Sequence, residues 1–187
     1  MNQKRLNWDP HHYRFGLAGE GQADVIQGYL ERDQGRVLNI GCGPWGDKIK
    51  NLSSYCDLLI AADISFDGVK RARPEIWPYA LRRITFLVAD ARNLPLENSS
   101  MDHIVALGLF AEIADADVLG VLSELHRVCR QDGHLMITNA VCHPIETYIE
   151  LGTRAGFRLI EEPSCGYCPA ASGSVQERYL LVFAKSR

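Results

Sequence analysis

The sequence has no long apolar run: its longest, Ile104 to Ala111, falls far short of the ~20 residues a helix needs to cross a bilayer. The basic residues of MNQKRLNWDPHHYRFG are followed by no apolar segment, so neither a secretory leader nor a membrane span or membrane partner is expected. Repeats, low-complexity tracts and Gly/Ser linkers are also lacking, and 187 residues leave no room for a second full domain. One domain over 1–187 is expected, with an N-terminal arm and helix over 1–33 and a core over 34–187. Charge of one sign is not in excess either: 20 Lys and Arg against 23 Asp and Glu give a net −3, a poor footprint for gripping phosphate backbones. Nucleic acid is therefore not expected as a partner. What the chain does have, 47% hydrophobic and 23% charged residues, is ordinary for a globular protein. Its six cysteines (42, 56, 129, 142, 165 and 168) are scattered, four of them in or beside apolar segments, which predicts reduced thiols in a cytoplasmic compartment.

Short apolar, β-branched runs recur over Val37–Ile40, Leu58–Ala62, Ile84–Val88, His103–Leu107, Leu135–Thr138, Phe157–Ile160 and Tyr179–Ala184, which predicts seven strands. Helical patterns lie between them. The clearest presents Val118, Val121, Leu122, Leu125 and Val128 behind the possible caps Asp115 and Asp117; others span Gln22–Glu31 and Pro144–Ala155. This alternation predicts an α/β fold, a mainly parallel sheet with helices on both faces. Between the last two runs, Glu161 to Glu177 is rich in Pro, Gly, Ser and Cys and has no helical period, so a loop and an antiparallel last strand are expected.

The first strand runs into Gly41, Cys42, Gly43, Pro44, Trp45 and Gly46, and Asp47 opens a helix. Glycines at such a turn let a ligand approach the backbone, and a helix N-terminus offers amide hydrogens to a negative group. A plain tight turn would use the same residues. The string also satisfies GxGxxG, so a nicotinamide-dependent oxidoreductase competes. Asp63 closes the second strand, where a carboxylate can accept from both hydroxyls of a ribose or simply favour the start of the next helix. After the third strand come Ala89, Asp90 and Ala91 and a connection, Arg92 to Met101, too short for a helical crossover.

Taken together, VLNIGCGPWG, LIAADIS, FLVADARNLPLENSSMDHIVAL and VLSELHRVCRQDGHLMIT resemble the class I S-adenosylmethionine-dependent methyltransferases over Val37 to Thr138. The resemblance implies a Rossmann-like seven-stranded sheet with an antiparallel last strand, S-adenosyl-L-methionine as cofactor, and roles for matching positions. Gly41, Cys42 and Gly43 would pass beneath the methionine and ribose, Asp63 would hold the ribose hydroxyls, and Ile64 would lie against the adenine. Asp90 would accept from the adenine amino group while the Ala91 backbone touches the ring, and Leu107 and Gly108 would border the cofactor. Two positions depart from the family pattern: Asn39 stands where many members carry an acid, and Trp45 where many carry a third glycine. An inactive cofactor-binding or regulatory protein is thus an alternative to an enzyme.

The expected reaction is methyl transfer to an oxygen or nitrogen of a small molecule. Residues just after the fourth and fifth strands face the acceptor side of such a sheet, which selects Glu112 and His143 as catalytic candidates and Asn139 for substrate contact. His12 is a third candidate base, and His11, Tyr13 and Phe15 are substrate candidates, because Trp8 to Phe15 has the aromatic and imidazole density of a lid. No metal site is expected, since neither His11-His12 nor the lone pair Cys165 and Cys168 supplies a coordination sphere.

Overall fold

The computed structural model describes residues 21–76, 83–140, 144–169 and 175–186. In chain order the elements are α1 (Gln22–Asp33), β1 (Arg36–Ile40), α2 (Gly46–Ser53), β2 (Leu58–Asp63), α3 (Phe66–Ile76), β3 (Ile84–Val88), β4 (Met101–Leu107), a 3-10 turn (Leu109–Ala111), α4 (Asp115–Val128), β5 (Cys129–Ala140), α5 (Ile145–Arg154), β6 (Phe157–Leu159), β7 (Ser164–Pro169) and β8 (Val175–Lys185). The strands form one sheet in the order β3-β2-β1-β4-β5-β8-β6. The first five are parallel, and β8 enters antiparallel between β5 and β6, as expected.

Strand periodicity sorts the side chains between two cores. One face buries Val37, Leu59, Val105 and Met136 under α1, α2 and α3; the other buries Leu38, Ile60, Ile104 and Leu135 under α4 and α5. Helix α1 is therefore a layer of the core. Its Ile26 and Leu30 are fully buried, each contributing roughly 1.5–3 kcal/mol.

The sheet has eight strands, not the expected seven, because part of the segment read as a loop is β7. Both β6 and β7 pair antiparallel with β8, at Lys185 to Phe183 and at Leu180 to Val175 respectively. They are two pieces of one path along β8, and Pro163, which lacks an amide hydrogen, stands in the break. Glycine, proline and cysteine hide that strand from any reading of apolar alternation.

No helix links β3 to β4. In its place Arg127 of α4 donates to the carbonyls of Leu94 (2.9 Å) and Leu96 (2.8 Å) and to Asn98 Oδ1 (2.7 Å), while Glu124 accepts from the Leu94 amide (2.6 Å). Side chains of α4 thus satisfy backbone groups that a helix would satisfy itself. Asp115 and Asp117 do not cap α4: the cap position is Ala114, and both acids lie in the first turn. Among the described residues no helix is long and apolar enough to cross a membrane.

Candidate functional site

A crevice of about 580 Å³ opens at the carboxyl ends of β1 to β4. It lies where β2 and β4 flank β1, the point at which consecutive connections leave in opposite directions and strand ends splay apart. Ile40, Gly41 and Gly43 line it from β1, Asp63 and Ile64 from β2, Ala89 to Arg92 from β3, and Leu107 to Leu109 from β4.

Gly41, Gly43 and Gly108 all have positive φ (71°, 58° and 82°), a region closed to most side chains. A Cβ on Gly41 would come within 2.9 Å of Leu109 Cδ1, so the loop also needs glycine for its own packing. Trp45 folds back over Gly43, with Lys48 Nζ 5.5 Å from its ring, and is 59% exposed.

Asp63 is held at both oxygens. The Gly43 amide donates to Oδ2 and the Ser65 amide to Oδ1, each at 2.8 Å. A carboxylate offers about four acceptor positions, so each oxygen retains capacity toward the crevice. Asp63 does not cap α3. Ser65 does so, its Oγ accepting from the Gly68 amide at 3.0 Å, which leaves Asp63 for the loop and a ligand.

Beside Asp63, Ile64 is 68% exposed although β2 itself is apolar, while Ala91 and Leu107 are nearly buried in the crevice wall. These side chains give the crevice an apolar wall. At its rim Asp90 is bound by Arg92, whose Nε and Nη2 donate to its carboxylate (3.0 and 2.6 Å) and whose Nη1 reaches Asp117 (3.1 Å). These bonds hold the Asp90 carboxyl below the usual carboxylate range.

Of the predicted residues, Gly41, Gly43, Asp63, Ile64, Asp90, Ala91, Leu107, Gly108 and Glu112 line the crevice. Cys42 does not. Its side chain is buried in the core, its amide donates to the Ala62 carbonyl at 3.0 Å, and burial pushes its thiol up to about 12, with the Asp63 charge adding to the effect. Asn139 lies at the end of β5, opposite Tyr179 of β8. His11, His12, Tyr13, Phe15 and His143 lie outside the described residues. Asn39 is buried, its side-chain nitrogen has no hydrogen-bond partner, and it does not line the crevice. The sequence reading missed Lys48, Leu109, Ile113 and the Arg92–Asp117 link. For Lys48 a signal existed, namely its place in the first turn of the helix that follows the glycines.

Residues 38–137 match the family model described as a methyltransferase domain. A phosphatidylethanolamine N-methyltransferase of Cereibacter sphaeroides is 29% identical over 140 residues, covering 74% of this chain and 67% of the relative. A methyltransferase of Streptomyces halstedii is 31% identical over 127 residues, 66% of this chain and 45% of the relative. The chain thus spans between somewhat under half and about two thirds of these relatives' lengths. Among solved structures, magnesium protoporphyrin IX methyltransferase of Synechocystis PCC 6803, with bound S-adenosylmethionine, superposes with a TM-score of 0.72 at 17% identity, covering 99% of this chain and 87% of that one.

Proposed function

We propose, because the chain belongs to the methyltransferase-domain family and is an S-adenosylmethionine-dependent enzyme of class I, that it methylates an oxygen or nitrogen nucleophile of a small molecule. The observation that carries the cofactor part of this reading is the double tether of Asp63, which leaves acceptor capacity toward a crevice walled by apolar side chains; the small-molecule acceptor is supported by the N-methyltransferase relative.

In this reading Asp63 accepts from the two ribose hydroxyls, the left-handed Gly41 and Gly43 allow close backbone approach, and Ile64, Ala91 and Leu107 sandwich the purine. Asp90 accepts from the purine amino group with the capacity that Arg92 leaves. Cys42 contributes packing, not contact. The cofactor, when bound, supplies a methyl carbon activated by positive sulfur. The nucleophile's lone pair forms the new bond to that carbon as the carbon–sulfur bond breaks, and the chain chiefly contributes proximity and alignment. A protonated acceptor must also lose its proton, and in this reading Glu112, which lines the crevice and is exposed, takes it, with His12 and His143 as the other candidates. An amine acceptor agrees with the N-methyltransferase named above.

The test is transfer of label from methyl-labelled cofactor into fractions of a host-cell extract. Label in a low-molecular-weight amine or alcohol is expected; label confined to protein or nucleic acid would overturn the small-molecule assignment. Once an acceptor is known, removing residues 1–16 should spare cofactor affinity to within ~1 kcal/mol and lower turnover about tenfold, or about 1.4 kcal/mol, if His11, His12, Tyr13 and Phe15 close over the acceptor. A truncated, folded protein working at the parental rate removes them from the site.

A further inference from the structure

At the opposite, amino-terminal end of the same strands stands a second group of chemically competent side chains. His103 of β4 and His134 of β5 are in register across the parallel ladder, and their rings stack 5.3 Å apart at 14°. Asp33, the last residue of α1, brings its Oδ2 to 3.5 Å from His103 Nε2. One ligand atom from each of the three residues lies within 4.8 Å of the others.

The two imidazoles are poorly served by the protein. His103 is fully buried and neither ring nitrogen has a hydrogen-bond partner; His134 Nδ1 is likewise buried and unpartnered. Buried polar atoms left unpaired carry a desolvation penalty, and native structures rarely tolerate several at one place without a reason. Asp33 leaves 41% of its side chain exposed, so the cluster is open on one side.

We propose that Asp33, His103 and His134 bind one divalent transition-metal ion of the zinc class. Two imidazole nitrogens and a carboxylate oxygen form a donor set suited to zinc, nickel or cobalt and poorly suited to magnesium or calcium. Bonds of about 2.0–2.2 Å at tetrahedral angles place ligand atoms roughly 3.4 Å apart, so from separations within 4.8 Å no pair has to close by more than about 1.4 Å on binding, within reach of side-chain rotation. Solvent fills the fourth position beside Asp33. Arg130 lies near, its Nη2 3.8 Å from Asp33 Oδ2, but its Nη1 is committed to Asp102 at 2.5 Å, and it can stay there when the ion enters. The ion would fasten the end of α1 to the middle of the sheet. This site uses none of the crevice residues.

The experiment is calorimetric titration of Zn2+ into the chelator-treated full chain, with Co2+ absorption as a report of coordination geometry. One equivalent should bind, raise the melting temperature, and give the intense visible bands of a low-coordinate cobalt centre. Asp33→Asn and His134→Gln should each weaken zinc binding by about tenfold or more, since even outer-shell changes at metal sites cost that much. A His11→Gln, His12→Gln, Cys165→Ser variant should bind as the parent does. If His134→Gln fails to fold by circular dichroism, Asp33→Asn, altered at an exposed side chain, decides the matter. No zinc uptake by the parent, or uptake that survives Asp33→Asn, overturns the proposal.

Discussion

The two ends of the strands β1, β4 and β5 solve opposite problems with the same backbone. At the carboxyl ends, three glycines with positive φ turn the chain sharply, and the polar groups are left facing a crevice. Asp63 is fixed by two amides yet keeps acceptor capacity. At the amino ends, polar groups are consumed internally: Asp102 accepts from the Arg36 amide and from Arg130, both at 2.5 Å. A Cβ on Gly35 would overlap the Asp102 carboxylate, so that glycine makes room for a side chain, whereas the crevice glycines clear a path for a ligand. The difference teaches that a glycine's meaning lies in what it faces. His103 and His134 depart from this internal satisfaction, because buried nitrogens of both rings have no hydrogen-bond partner.

The largest test of this contrast is Asp63→Ala. It removes a charged acceptor of two hydroxyls and orphans the Gly43 and Ser65 amides, so S-adenosylmethionine affinity should fall by ~2 to 3 kcal/mol in calorimetric titration. An unchanged dissociation constant in a folded variant would falsify the ribose role of Asp63.

At the other end the corresponding change is Gly133→Ala. Strand β5 bulges between Cys129 and His134, because Met101 pairs with Cys129 and His103 already pairs with His134. Asp132 takes φ of 62° within this bulge. A Cβ on Gly133 would stand 2.7 Å from the Asp102 carbonyl oxygen, 2.8 Å from Cys129 Sγ and 3.0 Å from the Arg130 carbonyl oxygen. Two of these are backbone atoms that cannot step aside cheaply, so the variant should lose about 2 kcal/mol in chemical denaturation. Cofactor affinity should hold, because the bulge is remote from the crevice lining. A variant as stable as the parent would mean that the bulge is not a rigid feature.

What the sequence made legible follows the same division. The carboxyl end is written in consecutive residues: Ile40 to Gly43, Asp63 with Ile64, and Ala89 to Ala91 are each a strand end and its turn. Their spacing carried both the fold and most of the crevice. The amino end is written across the chain. Asp33, His103 and His134 are far apart in sequence, and they meet only because β4 and β5 pair in one register past a four-residue bulge, Arg130–Gly133. No local pattern encodes that register. Strand β7 was hidden for a different reason, since its pairing with β8 rests on backbone hydrogen bonds and its composition is that of a loop. The Arg92 bridge from Asp90 to Asp117 likewise depends on where α4 docks.

The smallest expected effect concerns the one glycine-loop residue that faces inward. Cys42 sits between two crevice glycines, yet it is 1% exposed and its thiol is pushed up to about 12 by burial and the nearby Asp63 charge. Cys56 and Cys129 are buried too, with thiols at about 11 and about 12, and burial is the main cause for both. The thiolate is the reactive form, so at neutral pH these three should be inert in the native protein while exposed Cys165 reacts. Brief iodoacetamide treatment followed by peptide mass spectrometry should therefore label Cys165 and spare Cys42, Cys56 and Cys129, and denaturant should make all four equivalent. Adding S-adenosylmethionine should change nothing at Cys42, because a residue that packs inward has no contact to protect. Rapid native labelling of Cys42 that the cofactor blocks would place its sulfur in the crevice and return it to the ligand-contacting set.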